Sequence, residues 1–190
     1  MENPSGVFYF FLQNLIYLYI ISSPRKGGNS DLLADQFIKG AEESGNTVDK
    51  LYLVDKNMGY CRGCMECVKN GECIIDDDVS KILDRKIASD VIVHSTPVYF
   101  FSMNSIMKTL IDRTITRYDE ITNKEFYYIV TASIEDEKYL KNTFRPLRAF
   151  TDCLPGSIPK DKIAATGITE KGAVLNSPVY DEIYEIGKNV

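Results

Sequence analysis

Ile20-Ile21-Ser22-Ser23-Pro24-Arg25-Lys26-Gly27-Gly28-Asn29-Ser30 is the stretch whose reading decides the fold. The apolar run that ends at Ile21 reads as a strand. Turn formers follow, and Asn29 or Ser30 is placed to N-cap the amphipathic segment after them. A strand that feeds a helix through hydroxyls, glycines and an arginine suits a phosphate group. Amide N–H groups at a helix start point outward, the helix dipole favours an anion, and Arg25 adds a forked cation. Ser23, Arg25, Asn29 and Ser30 are the candidate phosphate donors, although a plain turn with a helix cap would use the same residue types.

Outward from that loop, Ala34, Phe37, Ile38 and Ala41 recur at helical spacing within residues 31–44, and Gly45-Asn46 ends the segment. Residues 47–54 alternate and are rich in strand formers. Asp77 or Asp78 is placed to cap a helix that turns Val79, Ile82, Leu83 and Ile87 inward. Residues 90–95 form a short apolar strand, as in the middle of a parallel sheet, and residues 96–101 read as the loop after it. Met103, Ile106, Met107, Leu110 and Ile111 mark another helix. A strand over residues 126–131, a helix over much of 137–150, a strand over 162–166 and a helix carrying Val179, Ile183 and Ile186 complete the pattern. Five strand–helix alternations predict an α/β fold, an open parallel sheet with helices on both faces and right-handed crossovers. Ligands of such sheets bind at the carboxyl ends of the strands, where residues 22–30, 96–101 and 131–133 would meet.

The chain has 190 residues, 44% of them apolar, enough for the core of one domain. A net charge of −5 without a lysine or arginine cluster argues against a nucleic-acid surface. Residues 1–14 are read as an N-terminal extension or added edge element, and residues 15–190 as the folded domain. The apolar run from Val7 to Ile21 is shorter than the ~20 residues of a membrane helix and lacks the basic start of a signal peptide.

Two further motifs carry chemistry. Pro97-Val98-Tyr99-Phe100 supplies a stiff backbone and aromatic side chains at a strand end, a wall for a flat cofactor or simply core aromatics at a sheet rim. Four of the five cysteines lie between Cys61 and Cys73 in the spacing C-x2-C-x2-C-x5-C, a metal or redox pattern rather than a secreted disulfide framework. Cys61, Cys64, Cys67 and Cys73 suit one [4Fe–4S] cluster. Zinc, a disulfide and metal-free thiols are the alternatives. Arg62 and Lys69 would partly offset a negative cluster. His94, the only histidine, reads as structural, and Cys153, far from the other thiols in sequence, as a bystander. Asp112-Arg113 reads as an intrahelical or interface ion pair worth at most about 1 kcal/mol. No acid–base pair or nucleophile stands out, so no catalytic side chain is expected.

Taken together, Ser23-Pro24-Arg25-Lys26-Gly27-Gly28-Asn29-Ser30, the four spaced cysteines, Pro97-Val98-Tyr99-Phe100 and Leu110-Ile111-Asp112-Arg113 resemble the NAD(P)H-dependent FMN reductase family, and within it the iron–sulfur flavoprotein branch. The resemblance covers residues 15–187. It implies a flavodoxin-like three-layer sandwich with a five-stranded parallel sheet of order 2-1-3-4-5 and non-covalent FMN. It implies that Ser23, Arg25, Asn29 and Ser30 hold the FMN phosphate. Pro97, Val98, Tyr99 and Phe100 would line the isoalloxazine, with Thr131 and Ser133 near its far edge. NAD(P)H or a reduced carrier such as ferredoxin would supply electrons to a quinone, a flavin, an oxygen species or a protein acceptor. A homodimer or homotetramer in the cytoplasm is also implied. A non-enzymatic flavodoxin-like carrier and a flavin-free metal-binding module are the alternatives. The sequence departs from the family at Ser22, where relatives usually have glycine, and at Phe101, where a small residue is common. A serine forced to positive φ would cost on the order of 1 kcal/mol, and Phe101 would narrow the flavin pocket.

Overall fold

The computed structural model describes residues 14–190, so the expected extension lies outside the described residues except for Asn14. The elements run β1 (Ile16–Ile21), α1 (Asn29–Glu43), β2 (Thr47–Tyr52), α2 (Glu66–Asn70), α3 (Val79–Ala88), β3 (Val91–Tyr99), β4 (Ser102–Met103), α4 (Ser105–Arg113), β5 (Glu125–Thr131), α5 (Lys141–Asp152), β6 (Ile158–Ala165) and α6 (Val179–Lys188). The sheet order is β2-β1-β3-β5-β6, all parallel, with β4 folded back antiparallel on the end of β3. The expected order therefore holds for the five main strands and is renumbered because the two-residue β4 intervenes.

The alternation of β1 sorts the two cores. Tyr17, Tyr19 and Ile21 face the layer of α1 and α6, around Phe37 and Ile183. Leu18 and Ile20 face α3, α4 and α5, around Leu83, Leu110 and Leu147. β3 is buried from Val91 to Pro97, since strands lie on both of its edges and helices on both faces. The edge strand β6 exposes Lys160, Asp161 and Lys162, charges that discourage pairing with another sheet.

α1 and α6 cross at two glycines. A Cβ on Gly40 would stand 2.2 Å from the Tyr184 carbonyl oxygen, and one on Gly187 2.2 Å from that of Phe37. Because backbone must move to make room, Gly40→Ala is expected to cost about 3 kcal/mol despite the better helix propensity of alanine. A urea midpoint no lower than that of the parent chain would contradict this close approach.

Several boundaries differ from expectation. The second strand stops at Tyr52 and becomes a single 3-10 turn, Leu53–Asp55. The fourth helical segment begins as a 3-10 turn, Glu137–Leu140, and α5 then runs through Pro146. The stretch expected as a loop over residues 96–101 is mostly strand: β3 continues to Tyr99 and turns through Phe100 and Phe101 into β4. Both phenylalanines have positive φ, 49° and 63°. With both central residues left-handed the turn has the backbone of a type I′ hairpin, a conformation that glycine adopts at position 101 without the strain a phenylalanine carries. In α3, Lys86 rather than Ile87 takes the fully buried position.

Candidate functional site at the carboxyl rim of the sheet

The ends of β1, β3 and β5 are bound together at one rim. Ser22 donates both its N–H (2.9 Å) and its hydroxyl (3.1 Å) to the Ser95 carbonyl. Asn104 donates its side-chain amide to the Ser22 carbonyl at 2.7 Å and its own N–H to the Thr96 hydroxyl, and it caps α4 by accepting from Met107 N–H. Ser22 does not have positive φ, so the expected cost of serine there does not arise. Asn104 does not stand out in the sequence, because the helical period there starts at Met103, one residue before the asparagine that caps α4.

The loop after β1 closes as a tight turn. Gly27 has φ +64°, and Gly28 N–H donates to the Arg25 carbonyl at 3.2 Å. A Cβ on Gly28 would lie 2.9 Å from that carbonyl oxygen, so the backbone here closes to a distance only glycine allows. The N-cap is Gly28, not Asn29 or Ser30, and no side chain caps it. Asp31 takes up part of that role by accepting from Gly27 N–H at 2.7 Å. It also accepts from the Tyr52 hydroxyl at 2.7 Å and pairs with Lys50 at 2.6 Å. Burial works against the Asp31 charge, but Lys50, the Gly27 N–H and Tyr52 outweigh it and hold its pKa below the usual value. The negative charge beneath the loop is therefore already neutralised.

The side chains of the four expected phosphate residues share no common partner. Ser23 is buried at the loop, where its hydroxyl accepts from Arg25 N–H at 3.3 Å. Arg25 is exposed, and its guanidinium has no ion pair among the described residues. Ser30 shares a 2.8 Å hydroxyl contact with Thr131, which joins the first loop to the end of β5. The side chain of Asn29 faces away: its amide donates to the Glu170 carbonyl at 2.8 Å, and its oxygen accepts from Gly172 N–H at 2.9 Å. The backbone N–H groups of Asn29 and Ser30 have no acceptor among the described residues, as the first turn of a helix leaves them. These open donors, the glycine turn and the free Arg25 fit a phosphomonoester.

Beside this loop stands the β3–β4 hairpin. Pro97 is buried opposite Thr131, Val98 is half-buried, and Tyr99 and Phe100 are 45% and fully exposed. Phe101 packs on Tyr139 with ring centroids 5.7 Å apart, so its ring turns toward the 3-10 turn that precedes α5. Ser133 is exposed two residues beyond the end of β5.

The cysteines occupy a second site. A cavity of about 620 Å³ lies between the cysteine loop, α4 and the end of α5. Cys61, Cys64, Cys67 and Cys73 all line it, and so does Cys153 despite its distance from them in sequence. Gly63 N–H donates to the Cys61 sulfur at 3.5 Å. Among the described residues, no three cysteine, histidine or acidic side chains converge on one metal position. The four thiols share one cavity without meeting in ligating geometry; their donor chemistry fits a thiolate-bound centre, and the N–H···S contact is of the kind such centres use.

The base of this loop is clamped by Arg113, which pairs with Asp77 and not with Asp112; Asp112 pairs with Lys108. Arg113 and Asp77 side chains are each 2% exposed. Arg113 donates to Asp77 at 2.7 Å and to the Gly59 carbonyl at 2.6 Å, before the cysteines, and makes a longer 3.4 Å contact to Ile75 after them. Asp77 accepts from Gly59 and Val79 N–H. Burial disfavours both charges, yet their mutual bonding prevails, lowering the pKa of Asp77 and raising that of Arg113. His94 is fully buried as expected, and its ring stacks on Phe150 at 5.8 Å.

A family model described as NADPH-dependent FMN reductase matches residues 17–151. An iron-sulfur flavoprotein of Archaeoglobus fulgidus is 38% identical over 96 residues, 50% of this chain and 44% of its own length. One of Methanocaldococcus jannaschii is 37% identical over 95 residues, 50% of this chain and 49% of its own. The chain spans about half the length of the curated relatives it matches. Among solved structures, an NAD(P)H:quinone oxidoreductase from Methanothermobacter marburgensis superposes with TM-score 0.75 at 12% identity, covering 93% of this chain and 96% of that one. An FMN-dependent NADH-azoreductase from Bacillus anthracis in complex with FMN gives TM-score 0.71 at 18% identity, covering 92% and 98%. At these identities the structural likeness speaks to the fold, which is flavodoxin-like. No helix among the described residues is long and apolar enough to cross a membrane.

Proposed function

Because the chain belongs to the NADPH-dependent FMN reductase family, we propose that it is an FMN-dependent NAD(P)H oxidoreductase of the cytoplasm. It takes electrons from NAD(P)H or a reduced carrier such as ferredoxin and passes them to a quinone, a flavin, an oxygen species or a protein acceptor. FMN supplies the redox chemistry, accepting electron pairs and releasing them singly or together. The side chains bind and orient it, so the reaction needs no side-chain acid–base pair. The observation that carries this reading is the start of α1, with two amides lacking acceptors, a glycine-closed turn and the unpaired Arg25.

In this reading Ser23, Arg25 and Ser30 hold the phosphate together with the Asn29 and Ser30 amides. Pro97, Val98, Tyr99 and Phe100 line the flavin ring, with Thr131 and Ser133 toward its far edge. Cys61, Cys64, Cys67 and Cys73 hold a [4Fe–4S] cluster, a reading supported by their spacing, their shared cavity and the iron-sulfur relatives. A homodimer or homotetramer is supported by the cluster of exposed aromatics Tyr99, Phe100 and Phe101 at the hairpin, a patch that another subunit would cover.

Anaerobic purification followed by spectroscopy and iron and sulfide assay tests both centres. The reading expects bound FMN, a broad iron–sulfur absorption and steady NAD(P)H oxidation with a quinone acceptor. Failure to take up FMN on reconstitution would sink it, and FMN without NAD(P)H oxidation would leave an electron carrier. Arg25→Ala is expected to weaken FMN binding about 10- to 100-fold, the loss of one charge-assisted contact of about 1.5–3 kcal/mol. Fluorescence titration of the flavin-free protein measures it.

A further inference from the structure

The loop between β6 and α6 reaches back over the phosphate loop. Gly167 N–H donates to the Ile134 carbonyl and Ile168 N–H to the Ala132 carbonyl, both at 2.9 Å, so the loop starts at the same rim as β5. Asn29 then fixes its middle through the Glu170 carbonyl, Gly172 N–H at 2.9 Å and Val174 N–H at 3.4 Å. Between those anchors lies Lys171. Its Nζ is 3.3 Å from where a Cβ on Gly27 would stand, against the face of the turn that glycine leaves open.

The charges near this turn leave Lys171 a distinct role. Lys26, within the loop itself, is paired with Asp55 at 2.7 Å and lies over the Tyr52 ring. Lys50 is held by Asp31 and Asp35. Arg25 and Lys171 are the cations at the turn with no ion pair among the described residues. A phosphomonoester carries nearly two negative charges at neutral pH, more than Arg25 alone can balance.

We propose that Lys171 is a second cationic ligand of the FMN phosphate, supplied by the β6–α6 loop, and that Asn29 acts through it as the positioning residue of that loop. The proposal rests on the FMN reading above. It gives Asn29 a different role from Ser23, Arg25 and Ser30: its side chain holds the strap that carries Lys171, and only its backbone N–H faces the anion. It also makes the site discontinuous, with ligands from both the first and the last crossover of the sheet.

The experiment compares FMN with riboflavin, which lacks the phosphate, by fluorescence titration of the flavin-free full chain and its Lys171→Met, Lys171→Arg, Asn29→Ala and Asn29→Ala/Lys171→Met variants. Lys171→Met is expected to weaken FMN about tenfold, to leave riboflavin affinity unchanged and to flatten the salt dependence of FMN binding. Lys171→Arg retains FMN affinity. Asn29→Ala weakens FMN, and adding Lys171→Met to it costs less than in the parent chain, because both changes remove the same contact. Equal losses for FMN and riboflavin in Lys171→Met, or an FMN affinity within twofold of the parent, would overturn the proposal while leaving FMN binding in place. A parent chain that binds neither flavin overturns the FMN reading itself.

Discussion

Replacing Lys86 with methionine is expected to stabilise the protein by about 3–4 kcal/mol near pH 6, with the gain fading toward pH 10.5. Lys86 sits on the inward face of α3 with 0% exposure, and its Nζ has no hydrogen-bond partner. Burial lowers its pKa from 10.5 to about 7. The unfolded chain therefore binds a proton between those values that the folded chain does not. Stability due to this group is complete above pH 10.5, is lost as pH falls toward 7, and stays lost below it. At 1.36 kcal/mol per unit the penalty is roughly 4–5 kcal/mol. The Phe150 ring, 4.8 Å from Nζ, offsets roughly 1 kcal/mol of it. Methionine keeps the length and apolar stem without the charge. Urea unfolding of parent and variant across pH 6–10 gives the difference directly, and a gain independent of pH would contradict a buried, titrating amine. His94 adds a second slope, which the variant keeps through burial but without the part due to the Lys86 charge. Burial, and then the nearby Lys86 charge, push its pKa well below 6.5, so its contribution is present above pH 6.5 and is lost in acid.

Asp77→Ala is the change expected to do most harm, at about 3–5 kcal/mol, because it leaves the Arg113 guanidinium buried without a counter-charge. It also removes the acceptor of Gly59 and Val79 N–H, so the cysteine loop loses its anchor at one end and α3 its first-turn contact. Asp77→Asn/Arg113→Gln, which removes both charges and keeps polar side chains of similar shape, is expected to cost much less. Asp77 has a pKa below 3.8 when folded, so its contribution is present above pH 3.8 and disappears as pH falls through the folded value. The parent and Asp77→Ala chains should therefore converge in stability in strong acid. Faster thiol labelling of Cys64 and Cys67 in Asp77→Ala at neutral pH would report the released loop. Unfolding midpoints equal to the parent at pH 7 would mean that the pair is not buried as described.

What could be read in the sequence was local. The strand run to Ile21, the helical spacing of Ala34, Phe37, Ile38 and Ala41, and the apolar run over residues 90–95 each report which side of an element meets a core, because the periods of strand and helix are properties of neighbouring residues. Their alternation was enough for the parallel sheet and for the carboxyl rim as the place to look for a site, whereas the strand order was implied only by the family resemblance. The glycine-rich turn was legible for the same reason, whereas Pro97-Val98-Tyr99-Phe100 was legible as aromatic residues at a strand end but not as the continuing strand and hairpin that it forms.

Partnerships between polar side chains were not legible. Asp112 precedes Arg113 in sequence, yet points to Lys108 on its own helix, while Arg113 turns inward to Asp77. Asn29 looks like a cap or phosphate donor until the loop at residues 170–174 arrives to occupy it. Cys153 joins the other cysteines only because α5 ends over their cavity, and Lys86 is buried only because α3 packs with that turn against the sheet. The sequence by itself determined the elements, their layering and the chemistry available at the rim. Tertiary structure alone decided which charges meet and which are buried without a partner, because those contacts depend on the packing of segments far apart in the chain, which no local period encodes.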